Sequence, residues 1–279
     1  MKFQLKALAA ALALAVTLPA HAAIDKANTG NGSLVLTLFD RVGGISATFD
    51  LGKNYSDFTV APNVAANTAV SGGFLTSNVD AAGTSFSWNL TQGDFASAWT
   101  SFLAVGSLTN TKWGVLAGDG LGNAASAGAR GYITTSAGTG NAISSSAVST
   151  DVGNLDNYLT QVNIEGNHSA VSNGGSTATA GAGYAGTSLI INDALTNKGP
   201  VTLGAVGLDL AVVQVSNLAN SLSAANQYTF ANNAHFNLSN TGLLTYSTTA
   251  VAAVPEADTW AMMFMGLGLM GFIARRKQA

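Results

Sequence analysis

The groups able to do chemistry in this sequence are few, and their spacing decides which reactions are open to them. Gly181-Ala182-Gly183-Tyr184-Ala185-Gly186 and Gly266-Leu267-Gly268-Leu269-Met270-Gly271 both carry the G-x-G-x-x-G spacing that lets backbone N–H groups approach a pyrophosphate. That chemistry also needs a helix N-terminus directly after the turn. The first segment leads into an expected strand and the second lies inside an uncharged apolar run, so neither fits a dinucleotide. His168 and His235 are the histidines of the body, too far apart in sequence to form a recognisable zinc pattern. Two facing carboxylates would serve glycoside hydrolysis. Asp119, Asp151, Asp156, Glu165, Asp193 and Asp209 could supply them, but no spacing singles out a pair. Asp119 sits among glycines without the regularly spaced acids of a calcium loop. No nucleophile elbow or Ser-Lys signature is present. With no cysteine in the chain, thiol catalysis and thiolate-held metals are excluded. The expectation is a protein that is not an enzyme, with no catalytic residue, no metal and no cofactor.

Binding is the remaining chemistry. Trp88, Trp113, Tyr132 and Tyr184, with the abundant Asn and Asp, could stack on sugars and hydrogen-bond them. Their alternating positions on expected strands make Trp88 and Trp113 core residues in the competing reading. Strict alternation is clearest at Ile45, Ala47, Phe49 and Leu51 and again at Phe86, Trp88 and Leu90, which predicts two half-buried strands. Ser33 to Phe39 joins the first across Asp40-Arg41-Val42-Gly43-Gly44 as a hairpin. Lys112 to Leu116, Gly131 to Thr135, Thr187 to Ile191, Leu203 to Val215, His235 to Leu238 and Leu243 to Ser247 read as further strands. Asp94 can cap a helix carrying Phe95, Ala98, Trp99, Phe102 and Leu103 on one face, and a second short helix carries Leu155, Tyr158, Leu159 and Val162 up to Gly166. The predicted fold is mainly β: an antiparallel sandwich or a β-helix-like stack with one or two short covering helices. Gly118 to Ser149 and Glu165 to Gly186, rich in small polar residues, read as long loops or linkers.

Charge narrows the partners. Asp, Glu, Lys and Arg make up 9% of the chain, against roughly 25% in an average domain. The surface must therefore be built from hydroxyls and amides. Between residues 23 and 254 six Lys and Arg face twelve Asp and Glu, a net charge of −6, so no basic patch can serve nucleic acid.

The two ends have an organisation of their own. Lys2 and Lys6, the apolar run from Ala7 to Leu18, Pro19 and the small residues Ala20-His21-Ala22 follow the order of a secretory signal peptide cut before Ala23. At the other end Thr259 to Ala274 carry no charge and are followed by Arg275, Arg276 and Lys277. As a helix they would span about 24 Å, a short fit to a hydrocarbon core of about 30 Å. Trp260 suits the membrane interface, and the three cations keep the tail on the cytoplasmic side. The expected domains are a signal peptide with its signal helix at 1–22, a β-rich exported body at 23–249, a spacer at 250–258, and a transmembrane helix with basic tail at 259–279.

Within the spacer, Pro255 forces Val254 into an extended conformation, which presents Val254-Pro255-Glu256 to a processing enzyme. The string VPEADTWAMMFMGLGLMGFIARRKQA closely resembles the PEP-CTERM sorting signal of Gram-negative bacteria, with Ala257 where the family has its second proline. The body segments GSLVLTLFDRVGGISATFDLG and TKWGVLAGDG are also similar to PEP-CTERM proteins. The resemblance implies that an exosortase, a membrane transpeptidase-like enzyme, removes the tail. Signal peptidase and exosortase are then the expected partners, with the inner membrane as a transient site before release to the cell surface or the medium. It further implies a matrix protein associated with exopolysaccharide and biofilm formation. The alternatives are a carbohydrate-binding module on the same sorting route and a secreted polysaccharide-modifying enzyme.

Overall fold

The computed structural model describes residues 23–58, 82–138, 143–168, 171, 173–190, 195, 202–230 and 232–249, all within one unit that ends at Thr249. Its centre is the predicted hairpin. β1 (Ser33–Asp40) directs Leu34, Leu36 and Leu38 to one face and Val35, Thr37 and Phe39 to the other, and all six are buried. β2 (Ile45–Asn54) pairs with it antiparallel from Asp40 opposite Ile45, with a register shift near Ser33. The alternation predicted a half-buried β2, yet Ser46, Thr48 and Asp50 on its polar face are buried as well. A second layer covers that face.

The remaining strands are β3 (Ser85–Asn89), β4 (Thr111–Asp119), β5 (Gly131–Ser136), β6 (Gly175–Ala178), β7 (Gly204–Ala205), β8 (Asp209–Ser216), β9 (Asn226–Thr229), β10 (His235–Leu238) and β11 (Leu243–Ser247). They form one sheet in the order β3-β11-β10-β8-β5-β4-β1-β2-β6, with β7 added to β4 and β9 to β8. The antiparallel β architecture is as expected, but the eleven strands belong to a single sheet curled into a half-barrel, where two facing sheets or a β-helix-like stack had been predicted. Curling brings β3, at one end of the order, back toward β2. The Trp88 indole Nε1 donates to the Leu51 carbonyl at 2.9 Å, and the Lys53 ammonium lies 4.6 Å from the centre of the Phe86 ring.

Three helices complete the two faces. α1 (Ala96–Leu103) packs on β2 and β6 and buries Ala98, Trp99 and Phe102, while Phe95 before it meets Phe49 edge-on at 5.8 Å. The predicted stripe is right except for Leu103, which is 39% exposed. Asp94 does not cap α1; it sits in a single 3-10 turn that runs into the helix. α2 (Ser145–Val162) begins well before the expected Leu155, because the Ser144 hydroxyl accepts from the Ala147 N–H and caps it. It lays Val148, Val152, Leu155, Tyr158, Leu159 and Val162 on the second face of the sheet, against Val35, Leu116, Tyr132 and Val215. α3 (Ala185–Ser188) replaces the start of the strand predicted over Thr187 to Ile191, since the N–H groups of Leu189 and Ile190 return to the Ala185 carbonyl. Leu189 and Ile190 follow it as a buried turn with no strand pairing, and Ile191 lies outside the described residues. Leu203 to Val215 is two strands, interrupted by a turn at Gly207, whose φ is +88°. Beside the predicted strand β5, the two small-residue segments expected as loops contain β6 and the start of α2. Among the described residues no helix is long and apolar enough to cross a membrane.

Candidate functional site

The predicted processing residues fall at the edges of this unit. Ala20, Ala22, Val254, Pro255, Glu256, Trp260, Arg275, Arg276 and Lys277 lie outside the described residues. Ala23 is described and exposed. The next residue is already interior: Ile24 is 2% exposed and packs in the core beneath α2. Asn163, the residue closing α2, grips it with both ends of its amide. Its Oδ1 accepts from the Ile24 N–H at 2.8 Å and its Nδ2 donates to the Ile24 carbonyl at 2.9 Å. Asp25 and Ser33 add a reciprocal pair, with the Asp25 N–H donating to the Ser33 hydroxyl at 2.9 Å and the Ser33 N–H to the Asp25 carbonyl at 2.8 Å. At the opposite terminus the Thr248 N–H donates to the Thr84 carbonyl at 3.0 Å, and the Thr249 N–H to the Asn232 carbonyl at 2.7 Å. Sequence reasoning missed Asn163, whose only signal was an amide just beyond a helical apolar stripe.

A seam of polar groups runs under α2. The Tyr158 hydroxyl is hydrogen-bonded to the Thr48 hydroxyl, and burial pushes its pKa up to about 12. His168 and Ser176 are 1% and 3% exposed, with His168 Nε2 3.1 Å from the Ser176 hydroxyl. Burial drives the imidazole pKa down to about 4, so His168 is neutral in ordinary media. A histidine beside a serine is the geometry of an activated nucleophile, but Ser176 is buried and pairs with Thr48 in the sheet. Asp151 on α2 is 1% exposed and neither carboxyl oxygen has a hydrogen-bond partner. Burial pushes its pKa up to about 7, while the Tyr132 hydroxyl, close by but outside hydrogen-bonding geometry, acts to lower it.

The other carboxylates serve local structure. Asp119 accepts from the Leu121 N–H, Asp156 from the Asn28 N–H and Asp209 from the Asn237 amide. Glu165 lies against Gly183, where an added Cβ would come within 2.4 Å of its carboxyl. Asp193 lies outside the described residues. Among the described residues no three His, Cys, Asp or Glu come together as metal ligands. Of the aromatic residues considered for sugar stacking, Trp113 and Tyr132 are fully buried, and the Trp113 indole donates to the Ala205 carbonyl. Tyr184 is half-buried against Phe39 at 5.7 Å. A groove of about 290 Å³ lies between α1 and the β6 edge of the sheet, lined by Ser97, Ser101, Asn167 and Thr177 together with small residues.

Against known families, the model described as the PEP-CTERM protein-sorting motif matches residues 253–277. That span contains Val254, Pro255, Glu256, Trp260, Arg275, Arg276 and Lys277. No curated protein and no solved structure gives a match.

Proposed function

We propose that this chain, whose C-terminus carries a PEP-CTERM sorting motif, is an exported surface or extracellular-matrix protein that acts without catalysis in exopolysaccharide-dependent biofilm formation. The carrying observation is the motif at 253–277, which indicates a protein sorted by an exosortase. In this reading signal peptidase cuts before Ala23, the apolar stretch 259–274 holds the precursor in the inner membrane, and Arg275, Arg276 and Lys277 stop its transfer. Exosortase then acts at Val254-Pro255-Glu256 and frees the body. The weakly charged composition supports a life in a hydrated polymer, since a surface of hydroxyls and amides exchanges hydrogen bonds with sugars without the pull of strong fields.

The test is co-fractionation. Mature body added to the cell's own exopolysaccharide should sediment with it and should leave the polymer's chain length unchanged. A body that stays in the supernatant overturns the matrix role, and shortening of the polymer overturns the non-enzymatic one. Specific carbohydrate binding is the second reading, and the hydroxyl-lined groove between α1 and β6 is the observation in its favour. Saturable binding of one sugar, lost in Ser101→Trp, would select it.

A further inference from the structure

We infer that the fold sets the order of processing: the signal must be removed before α2 docks, whereas removal of the tail can follow folding. The inference rests on the reading that the signal is cut before Ala23, and its physical basis is the distance between each cut and the nearest locked residue. A peptidase grips its substrate as an extended strand on both sides of the scissile bond, so several flanking residues must leave any other structure. On the N-terminal side Ala23 alone separates that bond from Ile24, a reach of about 3.5 Å. Ile24 cannot be lifted into a peptidase cleft from the folded state. Both its backbone groups are held by Asn163 at 2.8 and 2.9 Å, its side chain is 2% exposed, and Asp25 behind it is tied to Ser33. Freeing Ile24 means breaking the contact between the chain's start and the end of α2, which closes only when the helix packs on the sheet.

The C-terminal cut lies farther along the chain from the described hydrogen bonds. Thr249, the last described residue, donates to the Asn232 carbonyl, and residues 250–254 stand between it and Pro255, a contour of about 17 Å. Docking of α2 therefore acts as a deadline for the first cut and is indifferent to the second. A precursor that folds with its signal attached becomes a dead end for signal peptidase.

The experiment uses the full-length precursor, isolated in detergent from cells depleted of signal peptidase, and purified signal peptidase. Folded wild-type precursor should be cut at least tenfold more slowly than the same precursor held unfolded in a urea concentration the enzyme tolerates. Asn163→Ala should recover most of that rate while near-ultraviolet circular dichroism shows the body still folded. A glutamate-specific endoproteinase should cut after Glu256 at equal rates in both states. Equal signal peptidase rates on folded and unfolded wild type, with Ala23 as the new N-terminus, overturn the ordering alone. A new N-terminus other than Ala23 overturns the cleavage reading and the ordering with it.

Discussion

Asp151 is a buried acid whose titration bears directly on stability near neutral pH. Its folded-state pKa of about 7 lies above the ordinary value of 3.8, so the folded protein holds a proton that the unfolded chain releases. Stability from this group is therefore complete below about pH 4, falls as the pH rises toward 7 and stays low above it, by an upper bound of about 4 kcal/mol. Asp50, raised to about 6, acts in the same direction. His168 acts in the opposite one. Its pKa of about 4 lies below the ordinary 6.5, so it adds stability as the pH rises between those values. The two acids outweigh the histidine. Urea midpoints should be higher at pH 5 than at pH 8, and Asp151→Asn should raise the pH 8 midpoint and abolish the difference; a lower pH 8 midpoint in Asp151→Asn would refute this reading of the carboxyl. Asp40 is the contrasting acid, because its carboxylate accepts from the N–H groups of Val42 and Gly43 at 2.9 Å and of Ser107 at 2.8 Å. Asp40→Ala leaves two donors of the β1–β2 turn and one of the loop between α1 and β4 unpaired, and should cost about 3 kcal/mol by denaturant unfolding.

At the scale of elements, the connection from α2 to β6 depends on one glycine. Gly166 has φ +58° and a Cβ there would stand 2.3 Å from the Gly175 carbonyl oxygen, so Gly166→Ala suffers both backbone strain and a clash. The expected loss is more than about 1 kcal/mol, read as a lower thermal midpoint with β6 amides exchanging faster than those of β1. The same region shows how far the sequence reads. β1, β2, α1 and the β10–β11 hairpin were legible because large apolar residues recur at period two or at helical spacing. β6 and the first half of α2 were hidden by small polar residues, which carry no period. Their structure comes from partners distant in sequence: Ser176 faces Thr48, and Ser145 donates its N–H to the Ser223 carbonyl. The loop from 120 to 130 is similarly organised from afar. The fully buried Asn217 accepts from the Arg130 N–H and donates to the carbonyls of Ala124 and Ser126. No local pattern announces such a residue.

Across the whole molecule, two kinds of information divide the chain. The C-terminal sorting motif is linear and was readable as residue order, proline-glutamate, apolar run and cations, and the signal proposed at the start has the same linear form of charge, apolar run and small residues. The body is specified by long-range packing, and its β character and several single elements could be read ahead of its topology. A half-barrel curled far enough for Trp88 to reach Leu51 follows from the sum of strand twists, which no single strand encodes. Because the compact unit ends at Thr249, residues 23–249 should fold without the tail and show the same thermal midpoint as the protein recovered after export. A midpoint lowered by more than a few degrees would mean that the tail contributes to the core. The most direct measurement on the sorting claim is the intact mass of the protein recovered from the medium of wild-type cells. A chain that begins at Ala23 and ends near Pro255 and Glu256, lacking 259–279, is the predicted result; extracellular protein that extends through Ala279 would contradict it.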